Sequence, residues 1–111
     1  MAEAAQIDVT QPESVARLLE GTDAFLSAVP YYYNLELTRA ALQARAHMVD
    51  LGGNTGIVRQ QHAFDEQARA TGISIIPDCG QVPGMGTSLM VYAASLLDRA
   101  KDIFMWDGGI P

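Results

Sequence analysis

The sequence is poor in the residues on which several function classes depend. A single cysteine, Cys79, in 111 residues excludes an internal disulfide and any cysteine-based metal cluster, and it suits a reducing compartment, with the cytoplasm as the expected location. Basic residues are scarce: seven Lys and Arg stand against thirteen Asp and Glu, a net charge of -6 with no basic block. An electrostatic grip on nucleic acid or on an anionic membrane has nothing to work with. No apolar run approaches the ~20 residues needed to span a bilayer. The opening Met-Ala-Glu-Ala-Ala-Gln lacks the basic, then apolar, profile of a signal peptide. What remains, 49% hydrophobic and 18% charged residues, fits one small soluble globular unit.

What is present is a repeating alternation. Ile7 and Val9 flank Asp8 at what reads as the tail of a strand. Thr10 and Glu13 follow at capping-box spacing with Pro12 in the first turn, predicting a short helix stopped by Gly21. Ala24 to Val29 is apolar apart from Ser27 and predicts a central strand buried on both faces. Asn34 is placed to cap a helix to about Arg45, and His47 to Leu51 reads as the next strand, ended by Gly52 and Gly53. Ile57 to Thr71 predicts one helix with Ile57, Gln61, Phe64 and Ala68 along one side and Gly72 as its stop, before a strand over Ile73 to Ile76. Beyond the loop Asp78 to Gly86, Leu89 to Leu97 is apolar nearly all round, which predicts a helix buried between layers; Ile103 to Trp106 reads as one more strand.

Strands alternating with helices through short connections predict an α/β fold: a three-layer, Rossmann-like parallel sheet with helices on both faces. The chain opens inside a strand, so the expected architecture is partial. Residues 1–100 read as the C-terminal half of a dinucleotide-binding domain lacking its first strands, and 101–111 as the first strand of a following α+β domain.

In such sheets ligands bind beyond the carboxyl ends of the strands. Here those ends are Ser27 to Pro30, Asp50 to Asn54, and Pro77 to Gly80 running on to Gly86, all built of small or turn-forming residues that let a flat ligand approach the backbone. The same glycines also serve as plain turn residues. Asp50 and Asp78 follow successive strands at equivalent positions, where a carboxylate could accept from a ribose hydroxyl, hold an ammonium, or cap a turn.

Other motifs lead nowhere. Gly84-Met85-Gly86-Thr87-Ser88-Leu89 has Leu where the dinucleotide fingerprint needs Gly, and it has no lysine for a phosphate loop. Cys79 sits at an exposed turn of the kind that can hold a nucleophile, but His47 opens a strand at the far end and His62 lies within a helix. Two histidines with no third ligand argue against zinc, so no metal is expected. Tyr31-Tyr32-Tyr33 could lie along a ligand or serve as a hydrophobic lid, and Met85, Met90 and Met105 read as core filler.

Taken together, Asp8-Val9-Thr10, Asp50-Leu51-Gly52-Gly53, Ile75-Ile76-Pro77-Asp78-Cys79-Gly80 through Pro83-Gly84-Met85, and the closing Gly108-Gly109-Ile110-Pro111 resemble the saccharopine dehydrogenase family over essentially the whole chain. The resemblance implies an oxidoreductase that passes hydride from an amino-acid carbon to NAD or NADP, with oxidative deamination of the lysine side-chain amine as the nearest activity. It maps cofactor binding onto Asp8, Val29, Pro30, Gly52, Gly53, Gly80 and Pro83, and places Asp50 and Asp78 as catalytic candidates nearer the nicotinamide and substrate. The implied partner is a small-molecule amino acid, neither nucleic acid nor membrane, and a homo-oligomer is the expected assembly. The sequence departs from the family in lacking the glycine-rich first turn, the cofactor-selecting acid and nearly all of the second domain. Saccharopine-type members also often carry Ser-Tyr near Leu51-Gly52, so lysine or a related amino acid fits better than saccharopine. As an isolated piece the chain is expected to be inactive, and the rival reading is an interaction or oligomerisation module that keeps the fold without the chemistry.

Overall fold

The computed structural model describes residues 3–108, so the last three residues of the closing motif, with the end of the expected second domain, lie outside the described residues. Within that span the elements are α1 (Pro12–Leu18), β1 (Ala24–Ser27), a 3-10 turn over Tyr31–Tyr33, α2 (Asn34–Ala44), β2 (His47–Asp50), α3 (Thr55–His62), α4 (Asp65–Thr71), β3 (Ile75–Ile76) and α5 (Met85–Ser95). The three strands pair in the order β1-β2-β3, all parallel, as the alternation predicts.

Register decides which residues share a face. Phe25 lies beside Met48 and Met48 beside Ile75, while Ser27 lies beside Asp50. This face receives the helices: Val15, Ala16 and Leu19 of the α1 segment, Leu37, Ala40 and Ala41 of α2, and Ala68 of α4 close over Met48 and Ile73 as one buried cluster. The spacing of Leu37, Thr38, Ala40 and Ala41 puts one stripe of α2 inward, with small Ala letting the helix approach the sheet closely. Leu26, Val49 and Ile76 line the opposite face, where Leu26 is 57% and Ile76 52% exposed. Coverage of both faces is therefore met on one face among the described residues, and β1 is an edge strand instead of a central one.

Two helices end alike. Arg45 (φ 57°) and Gly72 (φ 79°) take the left-handed conformation, and Ala46 and Ile73 return their amides to Ala41 and Ala68 at 3.0 Å each. Each ending turns the chain straight into the next strand.

Several expectations are corrected. Ile7 to Val9 is not a strand: the Asp8 carboxylate accepts from the Thr10 amide at 2.9 Å and hydroxyl at 2.6 Å, folding the segment into a turn. Gln11, not Thr10, precedes α1, without a side-chain cap. Asn34 is fully buried inside the first turn of α2 and does not cap it. The helix expected over Ile57 to Thr71 is two, because Ala63 and Phe64 bond back three residues to Gln60 and Gln61 and interrupt the α-helical ladder. Helix α5 forms, yet Leu89, Val91, Tyr92, Leu96 and Leu97 at its surface and end are exposed, as is Met85, so most of its apolar girth is open and only Gly86 is buried, against Met105 and Val82. Ile103 to Trp106 pairs with no strand, and Phe104 is 80% and Trp106 93% exposed.

Candidate functional site

The carboxyl ends of the parallel strands bring the second and third expected loops together. Asp50, the last residue of β2, is fully buried. Its Oδ1 accepts from the Gly52 amide at 2.7 Å and from the Asp78 amide at 3.2 Å, and its Oδ2 accepts from Gln61 Nε2 of α3 at 2.8 Å. The Asp50 carbonyl takes the Cys79 amide at 2.8 Å, continuing the β2–β3 pairing into the loop. Asp50 was expected near the substrate; the structure puts it beneath the loops, with both carboxylate oxygens engaged by the fold.

Asp78 is half-buried above it, in the left-handed region at φ 60°. Its side chain lies where a Cβ on Gly52 would be, and Gly52 itself has φ 73°. Gly80 approaches the Leu51 carbonyl so closely that no side chain fits, and Gly84 stands equally close to Gly80. At Gly53 (φ 121°) a Cβ would meet the Tyr31 ring at 3.0 Å. The glycines that punctuate these turns are therefore also sites of close contact between neighbouring loops.

Outside these contacts a cleft of about 220 Å³ opens, lined by Gly53, Asn54, Thr55, Asp78, Val82 and Pro83. Asn54 caps α3 at this mouth, its Oδ1 accepting from the Gly56 and Ile57 amides at 2.9 and 3.1 Å. Of the residues lining the cleft Asp78 alone is charged, so the cleft suits a neutral or cationic group and offers no countercharge to phosphates.

The remaining expected residues sit apart. Val29 is packed against the core and Pro30 starts the tyrosine turn, its carbonyl accepting from the Tyr33 amide at 3.0 Å. Tyr31 and Tyr32 meet edge to face at 5.6 Å between ring centres, and Tyr32 and Tyr33 are tilted at 56° with centres 4.5 Å apart. Asp8 lines a separate groove with Gln11, Ser14 and Arg17, and the Thr10 hydroxyl, then the Thr10 amide, hold its carboxyl below the ordinary aspartate range. The Tyr33 phenol is pushed up, first by the neighbouring Tyr32 and then by partial desolvation. Cys79 is exposed, and His47 sits at the other end of the sheet with Nδ1 accepting from the Ser74 amide at 2.8 Å, so the two are not brought together. A further hollow of about 300 Å³ beside β3, lined by residues such as Phe64, Asp65 and Arg69, contains none of the expected site residues.

Asn34, Thr38 and Gln61, all buried beneath the rim, carry no site role in the sequence reading, and Ser27, also buried, enters it only within the strand end Ser27 to Pro30. One signal was visible, since Gln61 interrupts the apolar stripe of Ile57, Phe64 and Ala68, and a polar residue on a core-facing stripe calls for a buried partner.

The family model for the saccharopine dehydrogenase NADP binding domain matches residues 1–76. That span ends with β3, so Asp8, Val29, Pro30, Asp50, Gly52 and Gly53 fall inside it, whereas Asp78, Gly80 and Pro83 lie beyond. Among solved structures, the apo histidine-tagged saccharopine dehydrogenase (L-Glu forming) from Saccharomyces cerevisiae is similar in fold, with a TM-score of 0.68 at 20% identity over 86% of this chain. The chain spans 20% of the length of that protein.

Proposed function

The chain belongs to the saccharopine dehydrogenase NADP binding domain family, and from that premise we propose that it forms the latter part of the cofactor domain of an NAD(P)-dependent oxidoreductase acting on an amino-acid C–N bond, nearest in activity to lysine 6-dehydrogenase. The observation that carries this reading is the rim at the strand ends, where Asp78 faces a cleft walled by Gly53, Asn54, Thr55, Val82 and Pro83. NAD(P), when bound, supplies the hydride acceptor.

The residues present fit the nicotinamide end of that cofactor better than its phosphates. Gly52 and Gly53 let the Asp78 side chain and the Tyr31 ring close against the loop backbone, which shapes the rim beside the cleft. Asp78 would stand by the positively charged ring or by a substrate ammonium, binding and orienting it. Pro83 and Val82 would exclude water from one side. Asp50 acts through the loops it holds and is a positioning residue in this reading. Val29 and Pro30, after β1, would line the cofactor's path farther along the rim, while Gly80 would act by its close approach to the Leu51 carbonyl and Asp8 would reach the cofactor only from its separate groove.

Resonance-assigned NMR titration of the chain with NADP+ tests this. Weak binding is expected, with shifts confined to Gly52, Gly53, Asn54 and Asp78. Shifts centred on the hollow beside β3, or tight binding by the chain alone, would contradict it. Lysine turnover by the parent enzyme, against saccharopine and glutamate, tests the substrate.

A second reading, an interaction module, is favoured by the exposed Leu26 and Ile76 of the sheet and the exposed girth of α5. Sedimentation showing stable self-association without any NADP+ response would support it.

A further inference from the structure

Under the rim runs one continuous line of buried hydrogen bonds that touches the ends of all three strands. Ser27 Oγ at the end of β1 donates to Asn34 Oδ1 at 2.8 Å. Thr38 Oγ1 donates to the Asn34 carbonyl at 2.8 Å, which leaves its oxygen free to accept from Gln61 Nε2 at 3.1 Å. The same Gln61 nitrogen donates to Asp50 Oδ2 at 2.8 Å, and Asp50 Oδ1 takes the amides of Gly52 and Asp78. Around Gln61 the directions follow from the groups: the Asp50 carboxylate only accepts, and the Thr38 hydroxyl gives its single hydrogen to the Asn34 carbonyl.

Asn34 carries this line from α2 to the end of β1, and Gln61 carries it from α2 to the end of β2. Both hydrogens of its Nε2 are committed, one to each side, so the carboxamide cannot turn over without losing both bonds. Its Oε1 is left buried with no partner among the described residues. Leaving a buried carbonyl unpaired carries a cost. The arrangement therefore keeps the Gln61 amine toward Asp50 and Thr38 at the expense of its own oxygen.

We propose that Gln61 is a positioning residue for the cofactor rim: by fixing the Asp50 carboxylate it holds the Gly52 and Asp78 loops in register with each other and with α2. The inference rests on the reading of these loops as the cofactor rim. Its test needs no cofactor, so a failure of positioning and a failure of the cofactor reading separate.

Native-state hydrogen exchange on the full chain reads the effect. In Gln61→Met, which keeps length and apolar bulk but offers no donor, protection at the Gly52 and Asp78 amides should fall about tenfold or more, the loss of a hydrogen bond to a charged group. Met48 and Val49, in the paired part of β2, should change much less. An equal loss at all four amides would make Gln61 a merely structural core residue, and no loss at Gly52 and Asp78 would likewise overturn the proposal.

Two further measurements hold if Gln61→Met folds poorly. In the unsubstituted chain the Gln61 side-chain hydrogens should exchange far more slowly than those of exposed Gln60 and Gln67; equal rates would overturn the proposal. In Gln61→Glu a second carboxylate faces Asp50, which raises the Glu proton affinity in the folded state. Protection at Gly52 and Asp78 should then be highest in acid, where the protonated Glu can donate to Asp50, and fall as pH rises from about 4 toward 7. A flat profile in that variant counts against the proposal.

Discussion

Gly52 and Asp78 compete for one position: the Asp78 side chain occupies the space that a Cβ at Gly52 would fill, while the Asp78 amide and the Gly52 amide share the same Asp50 oxygen. Two loops from different strands are thus interlocked, and the clearest predictions concern that lock.

Gly52→Ala should destabilise the chain by about 1–3 kcal/mol, because an alanine at φ 73° is strained and its methyl displaces Asp78. Pairing it with Asp78→Gly should recover part of that loss, since the removed carboxylate makes room. A double-mutant cycle in urea checks this, and strict additivity would show that the two positions do not interact.

Asp78→Asn keeps a side chain tolerated at positive φ and preserves the backbone bond to Asp50, so the urea midpoint should move by no more than about 0.5 kcal/mol. In the proposed parent oxidoreductase the same change should lower kcat/KM about tenfold or more by removing the charge that faces the cleft. Wild-type kinetics would remove Asp78 from the site.

The Asp8 carboxyl should titrate below the ordinary aspartate value, with Thr10→Val moving the midpoint up as the hydroxyl bond is lost. The sign follows from the lowered folded value: the contribution is present above the unfolded midpoint and disappears as pH falls through the folded one. NMR titration of the Asp8 side-chain carbon reads it directly. The turn before α1 should loosen over that same acidic window.

Met48→Ala should cost about 2–5 kcal/mol, since Met48 lies at the centre of the covered face with almost no exposure. By contrast Leu26→Ala, on the open face, should cost well under half as much. Equal costs would mean that the open face is covered in solution.

The local signals in the chain were readable because they act over a few residues. The alternation of apolar runs with Gly72 and Gly52 as stops located β2 and α2 nearly to the residue and the end of β3, whose pairing covers only Ile75 and Ile76 of the expected four residues, and the loops after the strands were found where parallel topology requires them. The break between α3 and α4 carried no such mark, as neither glycine nor proline stands at Ala63 or Phe64. Ile103 to Trp106 had the composition of a strand without a neighbour to pair with, and pairing is a property of two segments.

By itself, then, the order of residues determined the α/β class, the parallel sense of the strands and the cluster of small residues at their ends, because periodicity, turn chemistry and crossover length are properties of contiguous chain. Only the tertiary structure decided that Asp50 is buried under the rim while Asp78 faces the cleft. The two carboxylates look equivalent along the chain but are not: Asp50 is the last residue of β2, whereas Asp78 lies two residues beyond β3 in a left-handed turn, so Gln61, 11 positions beyond Asp50, reaches Asp50 alone.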